Sequence, residues 1–258
     1  MNRHKHGHFG WVDLMASDME GQSAFYESLF GWSHHDEPTD MGPPYRMFTQ
    51  DGKEVAGAGP QPPDMAAAAI PSMWNTYIIA DDIDEIAARG VELGAQVTMP
   101  AMDVMESGRM VGLTDTTGAA IFFWQPRAHV GAGVYGTHGA MVWNDLNTRD
   151  MAVAADFYEA LLGWEVDRSG DHDEDYWSIS VEGDAEGGIM RMGEQFTDEV
   201  PAHWLTYFAV DDARAITGRA KELGGRAEME PMEIPVCVFC VLSDPAGAVF
   251  AVMQMKER

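Results

Sequence analysis

Asp13-Leu14, Asp18-Met19, Phe25-Tyr26-Glu27, Leu29 and Gly31-Trp32 recur in the same order 132 positions later, as Asp145-Leu146, Asp150-Met151, Phe157-Tyr158-Glu159, Leu161 and Gly163-Trp164. Further on, Trp74, Tyr77, Asp81 and Glu92-Leu93-Gly94 return as Trp204, Tyr207, Asp211 and Glu222-Leu223-Gly224, at an offset of 130. An internal repeat of this length sets the architecture before any local propensity does. A chain of 258 residues can form one large domain or two of about 130 residues. The duplication selects two, spanning 1–128 and 129–258, with the Gly-, Ala- and Val-rich stretch 126–137 as the linker.

Within each half the order of elements repeats again. A strand over 9–15 leads to a helix over 18–30, with Asp18 as its N-cap and Gly31 as its stop. Short strands follow at 32–35, 46–49 and 54–58, then a Pro- and Ala-rich loop over 59–71. The next unit opens with a strand at 74–80 and a helix at 82–93, where Asp82 and Glu85 stand at capping-box spacing. It continues through 110–113 and ends with a strand at 119–125. The second half repeats this with strands at 140–147, 176–181, 187–192, 204–210 and 248–255 and helices at 150–162 and 212–223. Four β-α-β-β-β units in series result. A single such unit exposes an apolar sheet face and needs a partner, so the halves are expected to pack as a pseudo-dimer. Paired units can curl mixed sheets around a cleft, with helices outside. The fold class is therefore α+β, and the cleft is where a small molecule would bind.

Composition narrows the partners. Forty-two acidic against sixteen basic residues leave a net charge of −26. Nucleic acid and anionic membrane surfaces both call for Lys and Arg, so neither is an expected partner. No apolar run reaches the ~20 residues that span a bilayer. The first residues lack the apolar stretch of a secretory signal, so a cytoplasmic protein is expected. Cys237 and Cys240 form a CxxC inside a strand-like run, and positions three apart on a strand point to opposite faces. Two buried thiols are expected there rather than a zinc or redox site.

These motifs resemble the vicinal oxygen chelate superfamily of glyoxalases, bleomycin-resistance proteins and extradiol dioxygenases. The likeness rests on the aspartate, Phe-Tyr and Leu-x-Gly-Trp of each half. It rests also on Asp115-Thr116-Thr117-Gly118-Ala119 and Asp244-Pro245-Ala246-Gly247-Ala248 before each final strand. The resemblance implies four βαβββ modules in two tandem glyoxalase-like domains. It also implies divalent-metal ligands at three strand positions per half. Those positions fall on Trp11, Asn75 and Phe122 in the first half and Trp143, Leu205 and Ala251 in the second. Only Asn offers a lone pair, and a weak one. No resident metal and no other cofactor are expected.

Strand alternation places Trp11, Asp13 and Met15 on one face, and likewise Trp143, Asp145 and Asn147. Asn75 shares a face with Tyr77, and Phe122 with Trp124. Asp13 and Asp145 are the candidate acid/base groups, since burial beside rings favours a carboxyl group's protonated form; the alternative is that each staples its strand. His203 is a third candidate catalytic group, at the mouth of the second cleft beside Leu205 and Tyr207. Trp11, Asn75, Tyr77, Phe122, Trp124, Trp143 and Tyr207 are the candidate ligand-binding residues. Arg109 joins them as a clamp for an anionic group, or forms a surface ion pair. His4, His6 and His8 lie on a terminus expected to be mobile. The run 171–175 reads as a solvated hairpin tip rather than a calcium loop. The expected function is metal-independent binding of an organic small molecule, aromatic or cationic, with acid/base chemistry as a variant. A metal-dependent lyase or dioxygenase and a protein-protein module stay open, as does monomer against homodimer.

Overall fold

The computed structural model describes residues 4–40, 42–169 and 174–256. The first module comprises β1 (Phe9–Ala16), α1 (Met19–Phe30), β2 (Ser33–Glu37), β3 (Tyr45–Gln50) and β4 (Lys53–Pro60). A short helix, α2 (Pro63–Ala67), follows. The second module has β5 (Met73–Ile79), α3 (Ile83–Glu92), β6 (Gln96–Val104), β7 (Gly108–Thr114) and β8 (Ala120–Pro126). The third is β9 (Met141–Thr148), α4 (Met151–Leu162), β10 (Glu165–Asp167), β11 (Tyr176–Val181) and β12 (Asp184–Arg191). The fourth is β13 (His203–Ala209), α5 (Ala213–Glu222), β14 (Arg226–Glu233), β15 (Cys237–Ser243) and β16 (Val249–Met255).

The strands form two eight-stranded sheets, in the orders β2-β3-β4-β1-β5-β8-β7-β6 and β10-β11-β12-β9-β13-β16-β15-β14. Both are mixed: β1 runs parallel to β4 and β9 to β12, while the hairpins are antiparallel. The four long helices start where the sequence places them. Asp18, Asp82, Asp150 and Asp212 each accept a backbone N–H of the first turn, a cap worth about 1 kcal/mol. Gly31 and Gly163 end α1 and α4 in the left-handed conformation, at φ 74° and 69°. Two features go beyond the sequence reading. The 59–71 loop contains α2, which starts at Pro63. The edge strands β6 and β14 carry little periodicity, because most of their residues are exposed or half-buried and each contains a proline and register shifts.

By compactness the chain falls into two units that do not follow the sequence halves. One comprises Met1–Trp11, Thr76–Gly131 and Trp143–Leu205; the other comprises Val12–Asn75, Ala132–Val142 and Thr206–Arg258. In the first, the fully buried Tyr158 hydroxyl donates to Asp115 Oδ2 at 2.9 Å and accepts from Trp204 Nε1 at 3.1 Å. Asp115 Oδ1 meanwhile accepts the Thr117 and Ala119 amides of its turn. Trp164 stacks on Tyr158 and donates to Gly7 O at 2.8 Å, and Phe9 packs against Trp164 and Trp204. The second unit repeats the arrangement. Tyr26 donates to Asp244 Oδ2 at 3.0 Å and accepts from Trp74 Nε1 at 2.9 Å; Trp32 donates to Gly139 O. Here Gln22 Nε2 adds a second donor to Asp244 Oδ2 at 2.6 Å. Burial first, and the facing carboxylate second, push both phenols well above the usual tyrosine range. The repeated Phe-Tyr, Gly-Trp and Asp-x-x-Gly motifs are thus one hydrogen-bonded core, built twice.

Cys237 and Cys240 are both buried; Cys240 meets the Thr217 hydroxyl of α5, and burial pushes its thiol up. His6 and His8, expected on a mobile terminus, are instead tied into the first unit. His6 accepts the Asp81 amide, and His8, 2 % exposed, bonds Glu186 through Nδ1 at 2.6 Å. Most of the 171–175 run lies outside the described residues.

Candidate functional site

Two aspartates hold equivalent positions on equivalent strands, each met by a tyrosine that the sequence reading did not single out. In the second unit Asp13 lies on β1, 9 % exposed, with Gly57 of β4 as its ladder neighbour. Tyr45, from β3, reaches across that glycine. Its hydroxyl donates to Asp13 Oδ2 at 3.1 Å, and Asn75 Nδ2 donates to Oδ1 at 2.8 Å. A Cβ on Gly57 would fall inside the Tyr45 phenol, so the glycine is what allows the ring to lie there.

The first unit holds the matching centre. Asp145 lies on β9, 4 % exposed, beside Gly188 of β12. Tyr176 crosses Gly188, where a Cβ would again strike the phenol, and donates to Asp145 Oδ1 at 2.9 Å. No amide corresponds to Asn75 here, because Leu205 stands in its place. Trp143 Nε1 supplies the second donor instead, 2.8 Å from Asp145 Oδ1 and 2.9 Å from the Tyr176 oxygen. Two strand positions further, Asn147 is 1 % exposed, and neither its Oδ1 nor its Nδ2 finds a hydrogen-bond partner among the described residues. A buried polar group left so costs about 1–3 kcal/mol.

Several of the aromatic side chains expected to bind a ligand pair with other rings. In the first unit Trp11 meets the His129 ring edge-on at 4.5 Å, and Trp124 approaches the same ring at 5.7 Å while donating to His129 O. Tyr77 stacks on Phe122 at 5.1 Å. In the second, Tyr207 lies 6.3 Å from Phe239. His129 is a half-buried member that the sequence reading passed over, since it falls in the linker. Its bracketing by two predicted tryptophans becomes visible only in the fold.

Two further candidates have partners of their own. Arg109 forms an ion pair, the second of the two roles open to it. Its guanidinium forks onto Asp84 of α3 at 2.7 and 3.3 Å and touches Gln125, and this pairing raises its pKa. Gln125 Oε1 in turn accepts the Ile83 amide at the start of α3. Alternation along β7 therefore turns Arg109 toward α3, while Gly108 approaches Trp124. His203 is bonded through Nδ1 to Pro201 O at 2.9 Å, and burial lowers its pKa. A carbonyl only accepts, so Nδ1 carries the proton and Nε2 is left as the basic nitrogen. A surface cavity of about 310 Å³ at the start of α4 is lined by Thr116, Thr148 and Arg149. Neither Asp13 nor Asp145 lines it, and its charged groups are engaged: Asp150 caps the helix, and Arg149 binds Val200 O and Thr197 O.

A divalent metal does not fit the residues at the positions implied for its ligands. Indole, phenyl, isobutyl and methyl groups supply no donor, and Asn75, its nitrogen bound to Asp13, offers a single weak amide oxygen. Among the described residues no group of three or more His, Cys, Asp or Glu side chains could hold an ion.

Comparison with known proteins bears on this duplicated geometry. The family model for the glyoxalase/bleomycin resistance protein/dioxygenase superfamily matches twice, over residues 8–123 and 138–252. The chain belongs to that superfamily. It is 41% identical over 256 residues to CFP32 of Mycobacterium tuberculosis (strain CDC 1551 / Oshkosh), a glyoxylase by name, covering 98% of this chain and 97% of that one. It is 34% identical over 270 residues to the anthracycline biosynthesis protein DnrV of Streptomyces peucetius, covering 100% and 96%. Among solved structures, the 2,3-dioxygenase LapB from Pseudomonas sp. KL28 aligns with a TM-score of 0.66 at 14% identity, over 96% of this chain and 92% of that one. The Mn(II)-bound glyoxalase from Novosphingobium aromaticivorans aligns at 0.67 and 15%, over 98% and 83%. At such identities the two structures speak for the superfamily fold alone.

Proposed function

We propose that this superfamily member binds a flat, uncharged, oxygen-bearing aromatic molecule without a resident metal, through a tyrosine–aspartate pair in each half. The observation that carries the reading is the pair itself. Asp13–Tyr45 over Gly57 and Asp145–Tyr176 over Gly188 are built alike, although the residues around them differ. Each presents a phenol whose one proton goes to the carboxylate, so that the phenol oxygen is turned to accept a hydrogen bond from a ligand hydroxyl. Indole and phenyl rings offer stacking surface for flat molecules. The relatives named for anthracycline biosynthesis favour the same chemistry, since anthracyclines are built on a hydroxylated anthraquinone. The donor set at the implied ligand positions favours metal independence over a metal-dependent lyase or dioxygenase. Binding alone fulfils the reading; proton transfer by the same pair is its catalytic extension.

A cytoplasmic location is the companion proposal. It is in keeping with the strongly acidic composition and with there being, among the described residues, no helix long and apolar enough to cross a membrane.

Titration with 1,4-dihydroxyanthraquinone, followed by quenching of tryptophan fluorescence, tests the binding. Saturable quenching that survives exhaustive chelation is expected. Quenching that vanishes on chelation and returns with one metal equivalent per half would overturn metal independence. Absence of quenching would overturn the ligand class.

A further inference from the structure

Asn147 is the polar group of the second-half site that the protein itself leaves unanswered. It lies on β9 two positions past Asp145, so both side chains point to one face of the sheet. β9 pairs with β12 here in unbroken parallel register, which places Asn147 beside Met190; Met190 in turn is the ladder neighbour of Tyr176. Asn147 thus stands in the row of the tyrosine that serves Asp145. It is 1 % exposed, and both amide atoms lack a hydrogen-bond partner among the described residues. Exchanging its oxygen and nitrogen would not change this, since both ends are bare. Arg149, just beyond, does not reach back to it, because its guanidinium holds Val200 O and Thr197 O.

The duplication supplies an internal control. The matching position in the first half is Met15, which follows Asp13 by the same two residues. The same strand on the same fold therefore does not need an amide there. A buried amide that answers no structural need points to a group supplied from outside.

We propose that Asn147 is the specificity-determining residue of the second-half site, reading a carbonyl and an adjacent hydroxyl of an uncharged aromatic ligand. The amide nitrogen gives a hydrogen bond to the carbonyl, and the amide oxygen takes one from the hydroxyl. Asp145 on the same face disfavours an anion, so the ligand oxygens are neutral. This rests on the aromatic-ligand reading above and adds which half discriminates, and by what chemistry. A pocket built to hydrogen-bond an oxygen rejects the analogue that lacks it more strongly than an apolar pocket rejects an added hydroxyl.

The test compares 1,4-dihydroxyanthraquinone with anthracene, the same three rings without oxygen, by tryptophan quenching. The full chain is used as wild type, Asn147→Leu, Asn147→Ala and Met15→Leu. The wild type is expected to favour the dihydroxyanthraquinone at least tenfold. Asn147→Leu should lower that preference, the tyrosine–aspartate pairs keeping part of it, while raising the urea midpoint, because an unpaired buried amide is gone. Met15→Leu should leave the preference intact. If Asn147→Leu does not fold, Asn147→Ala answers the same question at lower stability. A raised midpoint with an unchanged preference would show the amide to be a packing defect and overturn the assignment, leaving the aromatic-ligand reading in place. A wild type that binds neither probe removes both.

Discussion

The two aspartate centres share a strand position, a crossing tyrosine and a glycine that admits it, yet differ in everything around them. Asp13 is held by two different oxygens' worth of donors, Tyr45 on Oδ2 and Asn75 on Oδ1. Asp145 receives Tyr176 and Trp143 on a single oxygen. Where the first half has Met15, the second has the unpaired amide of Asn147. The tyrosine–aspartate–glycine set is retained in both halves, and the donor that completes each carboxylate is not.

The largest expected effect tests whether the halves are independent copies at all. Within the second unit Tyr26 needs Asp244, and Phe30 packs on Phe208 and Phe250. Within the first unit His8 needs Glu186, and Phe9 packs on Trp164 and Trp204. Each interaction joins residues from both sides of position 128. Residues 1–128 expressed alone should therefore fail to form a stable monomer by sedimentation and urea melting. A soluble fragment as stable as the full chain would break the comparison at its root, since each half would then own its core.

Next in size are the glycines. Gly57→Ala and Gly188→Ala each place a methyl group inside a phenol ring. The ring must leave, and overpacking of this kind costs about 1–3 kcal/mol. Both variants should lose probe affinity as well, because the tyrosine leaves its aspartate. Equal losses at the two sites would mean both centres bind. Loss of affinity at Gly188 alone, with stability falling at both, would place the ligand in the second half.

How much of this was open to the sequence follows from what kind of signal each feature leaves. The helix caps Asp18, Asp82, Asp150 and Asp212 and the stops Gly31 and Gly163 act within a few residues of themselves, so spacing exposes them. The Tyr26–Asp244 and Tyr158–Asp115 bonds join positions more than forty residues apart. Their residues were visible as motifs, but their partnership was not. Tyr45 and Tyr176 recur at an offset of 131, as do Gly57 and Gly188, so an exhaustive reading of the repeat would have found the pair. Arg109 stood open between a clamp and a surface ion pair, and its pairing with Asp84 appears only when the fold sets α3 beside β7. Asn147 carries no sequence signal beyond its face; only burial and the missing partner mark it out.

A smaller contrast lies in the two turn carboxylates. Tyr158→Phe removes the donor that Asp115 Oδ2 has among the described residues, whereas after Tyr26→Phe Asp244 Oδ2 keeps Gln22. Hydrogen bonds to charged groups contribute about 1.5–3 kcal/mol. The loss at Tyr158 should approach the upper figure and the loss at Tyr26 should fall below the lower one. Equal urea midpoints for the two variants would show that Gln22 does not compensate. Asp13→Asn tests the candidate site rather than the core: it should weaken probe binding by about 1–3 kcal/mol while changing stability less. Unfolding with affinity preserved in the folded fraction would make Asp13 a strand staple.

The smallest expected effect is a pH dependence that belongs to one half. His203 stands on β13 where the first half has Met73, so only the second half can titrate at this position. Burial disfavours its charged form and lowers its pKa from the ordinary value near 6.5. The unfolded chain, with the ordinary value, therefore takes up the proton first as pH falls. In the window below about 6.5 the unfolded state binds more protons than the folded one, and stability rises with pH there. The contribution is complete above that window and is lost on acidification toward the depressed folded value. His203→Gln removes the titrating group while keeping a side chain that can donate to Pro201 O. Urea midpoints measured between pH 5.5 and 7.5 should therefore fall less steeply toward acid in the variant than in the wild type. Parallel slopes would mean that the imidazole is solvated alike in both states and that burial does not disfavour its charged form.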